Sequence, residues 1–297
     1  VPSLRPTMLK YTNSPITPIQ FNHQDIFVKR DDLLDQNFSG NKARKLYYYI
    51  THDFPDITKV LSYGSIQSNA MYSLSVLAKI KGWEFFYIVD HTPSYLLENP
   101  QGNYQYALKN GMKVVYSKDE AKIDKHTLWI EEGARDTKAQ YGVAILAQEI
   151  VAWQEEHEIQ NLAVVLPSGT GTTALFLQKF LHTHNIKVYT TPCVGNQEYL
   201  IQQFKMLESN EEYYPQILTL DRKYHFGKLY QNNWEIWKEL KTQTGIEFDL
   251  LYDPKAWLML QQHKSFFADK TILYIHQGGL IGNESMINRY QRKFKNS

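Results

Sequence analysis

Cys193 is the only cysteine in 297 residues, so no disulfide can close within the chain. That suits a reducing compartment. Charge of one sign is missing too: 32 Lys and Arg against 31 Asp and Glu leave a net +1. This balance excludes the electrostatic footprint of a nucleic-acid or anionic-membrane binder. No apolar run approaches the length of a membrane span. The start, Val1-Pro2-Ser3-Leu4-Arg5-Pro6, lacks the apolar core of a signal peptide. The expectation is a soluble cytoplasmic protein with neither nucleic acid nor membrane as partner. Internal repeats and low-complexity linkers are also absent. His182 and His184 have a metal-like spacing, but no further ligand cluster accompanies them; they read as a helix end, and no metal is expected. Cys193, after Pro192 and with no His-Asp arrangement to serve it, reads as a buried thiol. The 21 tyrosines are scattered, as core and surface residues are. A 43% hydrophobic, 21% charged composition is ordinary for a globular chain, and the length allows one large domain or two.

Apolar periodicity then alternates along the chain. Strands are expected at 25–31, 59–63, 84–89, 113–116, 161–166, 186–190, 248–252 and 271–276. Helices are expected at 42–52, 70–81, 102–110, 138–156, 173–184, 197–209, 231–244, 255–268 and 283–294. Gly82, Gly111 and Gly245 stand where helices stop. Residues 1–22 read as extended, 117–137 and 210–227 as irregular. Strands alternating with helices over short connections predict parallel sheets covered on both faces. There are many strands for one sheet, so two interleaved α/β domains are expected.

Chemistry concentrates in a few loops. In Ser39-Gly40-Asn41-Lys42-Ala43-Arg44-Lys45 a polar bend enters a helix, with Ser39 or Asn41 able to cap it. Lys42 then sits in the first turn, where the helix dipole disfavours a cation, with Arg44 and Lys45 crowding it. Both effects favour a neutral amine, a nucleophile able to form a Schiff base; a basic turn on a solvated helix is the plainer alternative. Ligands in such sheets bind beyond the carboxyl ends of the strands. Four loops lie there: Gly64-Ser65-Ile66-Gln67-Ser68-Asn69, Pro167-Ser168-Gly169-Thr170-Gly171-Thr172-Thr173, Tyr252-Asp253-Pro254 and His276-Gln277-Gly278-Gly279. The second is composed as a phosphate cradle, with glycines that admit backbone N–H groups, hydroxyl donors and a following helix N-terminus. It lacks the Gly-Lys-Ser/Thr end of a Walker loop, and a capped tight turn is its structural alternative. Gln67, Ser68 and Asn69 suit a phenolic oxygen or a carboxylate, or simply cap the next helix.

Taken together these loops resemble the fold-type II pyridoxal-phosphate enzymes, and more narrowly the 1-aminocyclopropane-1-carboxylate deaminase and D-cysteine desulfhydrase family. The resemblance rests on Lys29-Arg-Asp-Asp-Leu33 with Ser39-Gly-Asn-Lys-Ala-Arg-Lys-Leu46, on Gly64-Ser-Ile-Gln-Ser-Asn69, on Ser168-Gly-Thr-Gly-Thr-Thr173, on Asp249-Leu-Leu-Tyr-Asp-Pro-Lys-Ala256 and on Ile275-His-Gln-Gly-Gly-Leu280. It implies two open parallel-sheet α/β domains, tryptophan synthase β-like, with pyridoxal 5′-phosphate in the cleft between them. The larger domain would comprise 1–44 and 158–297, and the smaller, inserted one 45–157. The implied roles are specific. Lys42 would be the Schiff-base lysine and proton carrier. Asn69 would bond the cofactor's phenolic oxygen. Ser168, Gly169, Thr170, Gly171 and Thr172 would hold its phosphate. Gln67, Ser68 and Asn69 would meet the substrate carboxylate. Ser68 and Tyr252 would act in catalysis. Asp253 would lie near the pyridine nitrogen, on the same side of the ring as Gln277. The implied activity is release of ammonia and a 2-oxo acid from a small amino acid, by a homodimer. Other elimination or replacement activities of the fold, or a cofactor- or phosphate-binding protein without turnover, are the alternatives. Ser65 replaces the family's second glycine, Ala70 a Gln or His, and Gln277 a Leu or Thr. Asp253 echoes the deaminases' Glu more than the desulfhydrases' Thr, but Ala70 and Gln277 tilt the expectation toward D-cysteine or another small polar D-amino acid.

Overall fold

A computed structural model of the chain describes residues 12–35, 38 and 40–295. The chain begins with β1 (Ile16–Phe21) and β2 (Gln24–Arg30), followed by α1 (Gly40–Lys45) and α2 (Tyr47–Thr51). Next come β3 (Lys59–Tyr63), α3 (Asn69–Lys81), β4 (Glu84–Ile88), α4 (Ser94–Glu98), α5 (Gly102–Lys109), β5 (Met112–Val115), β6 (Thr127–Trp129) and α6 (Gln140–Glu156). The rest is β7 (Leu162–Ser168), α7 (Thr172–Leu181), β8 (Lys187–Pro192), α8 (Gln197–Leu207), β9 (Gln216–Ile217), α9 (Gln231–Thr244), α10 (Asp253–Gln262), β10 (Thr271–His276) and α11 (Asn283–Lys293).

Two sheets result. The larger runs β1-β2-β10-β7-β8-β9, and the smaller β5-β4-β3-β6. All pairings are parallel except β1 with β2, an antiparallel hairpin at the edge. Its two-residue turn, Asn22 and His23, has φ of 48° and 63°. These left-handed values match the twist of the paired strands. Both faces of the larger sheet are buried, as parallel crossovers require. Along β7, Ala163 and Val165 join the cluster containing Trp257 and Tyr274. Val164 and Leu166 point the other way, against Leu175 of α7 and Leu146 of α6. In the smaller sheet Val60, Phe85 and Met112 face Leu74 of α3 and Ala107 of α5.

Several sequence expectations are corrected. The helix expected at 42–52 is two short helices, broken at Leu46 (φ −93°, ψ 1°). There α6 crosses so closely that a Cβ on Gly142 would lie 1.8 Å from the Arg44 carbonyl oxygen. Asn41 lies inside α1 and does not cap it; Ser39 falls outside the described residues, as do residues 1–11 of the stretch expected to be extended. The expected strand at 248–252 is not a strand, because side chains take its backbone N–H groups. Asp249 N bonds Asp253 Oδ2, Leu250 N bonds Asn283 Oδ1, and Leu251 N and Tyr252 N both bond Asp249 Oδ1. The 117–137 segment contains β6, and 210–227 contains the two-residue β9. Two strands of the larger sheet run further than expected: β7 ends at Ser168 and β8 at Pro192. Helix α10 runs from Asp253 to Gln262 instead of 255–268.

Arg44 does not crowd Lys42. It turns away into a buried cluster, with Nε 2.8 Å from Asp31 Oδ2 and Nη1 2.7 Å from Glu149 Oε2. Lys29 Nζ bonds Glu149 Oε1 at 2.8 Å and the Ser14 carbonyl at 2.7 Å. Two cations and two carboxylates thus tie β2, α1 and α6 together, which fixes the helix that carries Lys42.

Candidate active site

A cleft of about 1300 Å³ opens where the carboxyl ends of the two sheets face each other. All four loops singled out above line it, together with Lys42. The predicted residues that line it are Lys42, Gln67, Ser68, Asn69, Ser168, Gly169, Thr170, Gly171, Thr172, Tyr252, Asp253 and Gln277. Among the described residues no helix is long and apolar enough to cross a membrane, and no group of His, Cys, Asp and Glu is arranged to hold a metal ion.

Lys42 and Lys45 both donate to the Gly133 carbonyl, at 3.3 and 3.1 Å. Burial lowers the pKa of both amines, Lys45 further than Lys42, and the neighbouring Lys42 charge is the second cause at Lys45. The crowding argued from sequence therefore acts on Lys45; at Lys42 desolvation lowers the pKa, while the bond to Lys45 and the charge of Glu132 raise it.

The Ser168–Thr173 loop is built by packing. Gly171 has φ +79°, and a Cβ there would lie 2.6 Å from both Leu200 Cδ1 and Phe204 Cε1. A Cβ on Gly169 would come within 3.3 Å of the Tyr252 ring. The Thr170 and Thr172 hydroxyls bond each other at 3.1 Å. The Ser168 hydroxyl bonds Thr190 at 2.6 Å in the core, so its side chain is committed away from the cleft. Thr173 Oγ1 is buried at the start of α7 with no hydrogen-bond partner among the described residues.

Ser68 caps α3, its Oγ accepting from Met71 N at 3.3 Å. The Ser65 hydroxyl accepts from Gln67 N at 3.2 Å, so the serine in place of a glycine stabilises the turn. Gln67 Nε2 donates to Tyr95 Oη at 2.7 Å, on the cleft's outer side. Across the cleft, a Cβ on Gly279 (φ +77°) would sit 3.4 Å from the Asn69 amide. Gln277 Nε2 donates to the Pro167 carbonyl at 3.3 Å.

Asp253 is buried, and Tyr274 Oη donates to Oδ1 while Asp249 N donates to Oδ2. Burial first, then the adjacent Asp249, raise its pKa well above the ordinary carboxyl value. Asp249 itself is pushed up to about 6 by burial, against the N–H bonds from Tyr252 and Leu251. Burial also raises the Tyr252 phenol, so it stays protonated. Cys193 is buried as expected, its thiol pushed up to about 12 by desolvation.

Sequence reasoning missed the Glu131-Glu132-Gly133-Ala134 turn. Its signal was one glycine in a stretch without periodicity. Gly133 and Ala134 are both left-handed, at φ 68° and 56°, and this aims the Gly133 carbonyl at the lysines. His276 was named in its loop but given no role. Its Nε2 lies 2.7 Å from the Glu247 carbonyl, and its Nδ1 accepts from Gly278 N at 3.1 Å. This pattern needs a neutral ring with the proton on Nε2, and burial lowers its pKa accordingly.

The architecture is that of the fold-type II pyridoxal-phosphate enzymes. It matches solved structures described as an ACC deaminase homologue (TM-score 0.77, 21% identity, 96% of this chain and 94% of that one) and a threonine deaminase (0.66, 14%, 90% and 92%). No family model matches the chain. Among curated proteins it is similar to one from Thermotoga maritima, provisionally named a 1-aminocyclopropane-1-carboxylate deaminase, at 24% identity over 94% of this chain and 96% of that protein. It is also similar to one from Oryza sativa subsp. japonica, provisionally named a mitochondrial D-cysteine desulfhydrase, at 25% over 90% and 80%. The resemblance carried by the loop motifs is thus borne out.

Proposed function

We propose that this chain is a pyridoxal-phosphate enzyme that releases ammonia and a 2-oxo acid from a small amino acid. The observation that carries the reading is the position of Gly133. A Cβ there would lie 3.2 Å from Thr170 Cγ2 and 3.9 Å from Lys42 Nζ. A desolvated amine and a phosphate-type loop therefore meet across one residue, in a fold whose solved members include deaminases.

The residues fit the cofactor. The orphaned Thr173 hydroxyl and the α7 N-terminus offer donors to a phosphate. Gly169 and Gly171 leave no side chain in the way. When bound, pyridoxal phosphate supplies an electron sink for charge developing beside the amino group. Lys42, its pKa lowered by burial, would hold the cofactor and carry the proton at the substrate carbon. Ser68, Asn69 and the α3 N-terminus receive the substrate carboxylate, with Gln67 bracing the loop through Tyr95. Tyr252, protonated beside Gly169, is the candidate acid. Asp253 keeps a lesser role, because both its oxygens are already bonded inside the protein. Buried Ala70 presents no polar side chain to the carboxylate. With the Gln277 amide on the cleft wall, this favours D-cysteine or another small polar D-amino acid over the cyclopropane substrate. The division into 1–44 with 158–297 and an inserted 45–157 is kept as a proposal. All strands of the smaller sheet lie between Lys59 and Trp129, which supports it.

The test has two stages. Added pyridoxal phosphate should give near-visible absorbance that borohydride fixes. Small D- and L-amino acids, including D-cysteine and aminocyclopropane carboxylate, are then screened for ammonia and 2-oxo acid. No absorbance refutes the cofactor; absorbance without turnover of any amino acid leaves a binding protein.

A further inference from the structure

Among the charged side chains of the cleft that the reading above does not use, Glu132 stands nearest the lysine and the phosphate-type loop. Glu132 is exposed at the cleft wall, and among the described residues no hydrogen bond or ion pair reaches its carboxylate. It stands between the two loops that matter most. The next residue, Gly133, fills the space between Thr170 and Lys42. Glu132 itself lies over Gly64, where a Cβ would come within 3.3 Å of its Cγ and Oε1 and 2.6 Å of Tyr87 Oη. Gly64, at φ +142°, therefore leaves room for this carboxylate above the substrate loop. The Glu131–Ala134 turn is held firmly. Ala134 N bonds the Glu131 carbonyl at 2.9 Å, and Glu131 accepts from Trp129 Nε1 and Tyr63 Oη, both at 2.8 Å. Glu131 is thus committed to the turn, while Glu132 makes no side-chain hydrogen bond among the described residues and faces the cleft, where its charge reaches Lys42. The nearby cations, Lys42 and Lys45, point at the Gly133 carbonyl.

We propose that Glu132 sets substrate specificity by selecting amino acids whose side chain carries a cation or a hydrogen-bond donor and rejecting those whose side chain is an anion. The inference rests on the proposed function and names the substrate class of that same site. A fixed carboxylate attracts a donor, and a like charge beside it is penalised. A polar site discriminates most strongly against a ligand that leaves its groups unpaired.

Two 3-substituted alanines separate the cases. In 2,3-diaminopropionate the leaving group is an amine, cationic when protonated; in 3-chloroalanine it is an uncharged chlorine without a donor. In each, the proton at C2 and the C3 substituent are lost, as ammonia or as chloride and a proton, and water then releases pyruvate and ammonia. Aspartate supplies an anionic side chain as an inhibitor. Pyridoxal phosphate is first titrated into the wild type and Glu132→Gln. No near-visible absorbance in the wild type means that the functional reading itself has failed, before any amino acid is added.

Kinetics then follow on both enantiomers. Wild type should favour diaminopropionate over chloroalanine in kcat/KM. Glu132→Gln should lower that ratio at least about tenfold, mainly through KM, and should tighten aspartate inhibition. Glu132→Asp should recover part of the ratio. If the wild type turns over neither compound, calorimetric binding of the three amino acids to the cofactor-loaded protein gives the same comparison. A ratio that does not change, or an equal loss on all three, overturns the proposal.

Discussion

Lys42 and Lys45, one helical turn apart on α1, share a single acceptor, the Gly133 carbonyl. Two ammonium groups cannot both remain charged at low cost in that desolvated place, so one proton is easily given up. Lys45, whose pKa is lowered further, is the amine that gives it up more readily. Pyridoxal phosphate followed by borohydride should put the pyridoxyl group on Lys42, read by peptide mapping. Lys42→Ala should abolish the label, and a label on Lys45 would reverse the assignment. Lys45→Met removes the partner whose hydrogen bond holds the Lys42 pKa up, so the Lys42 amine should titrate lower. The pH midpoint for cofactor condensation should then move down, followed by near-visible absorbance.

The phosphate loop predicts an order of effects on cofactor retention. Gly169→Val forces a branched side chain into the Tyr252 ring and should weaken retention more than Thr172→Ala, which breaks only the bond to Thr170. Thr173→Val removes a buried hydroxyl that has no partner among the described residues and keeps the shape. It should weaken the cofactor by roughly 1 kcal/mol without lowering the stability of the cofactor-free protein. Equilibrium titration and urea unfolding separate the two. A loss of stability with unchanged affinity would assign the hydroxyl to the fold.

Gly40 and Gly82 both have positive φ, at +76° and +73°, yet their surroundings differ. A Cβ on Gly40 would lie 1.6 Å from the Gln277 carbonyl oxygen, and one on Gly82 would meet nothing within 4 Å. Gly82→Ala should cost only the backbone strain, about 1–2 kcal/mol. Gly40→Ala should cost more than about 3 kcal/mol, because the clash is with backbone and α1 must separate from the 276–279 loop. Denaturant midpoints of the two variants check this; equal costs would mean that the loops are not so tightly apposed.

His276 predicts a pH dependence. Burial depresses its pKa in the folded state below the ordinary value of 6.5. Between the folded and unfolded values the unfolded chain binds more protons, so stability rises with pH there. This contribution is complete above about 6.5 and is lost as pH falls toward the folded pKa. Protonation would also break the Gly278 N–H bond to Nδ1. His276→Asn, which can keep a donor and an acceptor, should flatten the decline of Tm between pH 7 and 5. An unchanged slope would show that other groups carry it.

Some of this was legible in the sequence. Alternating periodicity determined the α/β class, because a strand buried on both faces and a helix with one apolar stripe leave different patterns. Helix α9 ends at Gly245 as read, since a left-handed C-terminal glycine is a local signal. The loop motifs determined which residues gather in the cleft. Tertiary structure alone decided the rest. The break at Leu46 comes from the crossing of α6 at Gly142, far along the chain. The apolar run at 248–252 reads as a strand, but Asp249, Asp253 and Asn283 take its N–H groups, and such side-chain capture depends on distant packing. Only folding places Gly133 against both lysines and Thr170, and Glu132 over Gly64, because those contacts join loops from two different sheets.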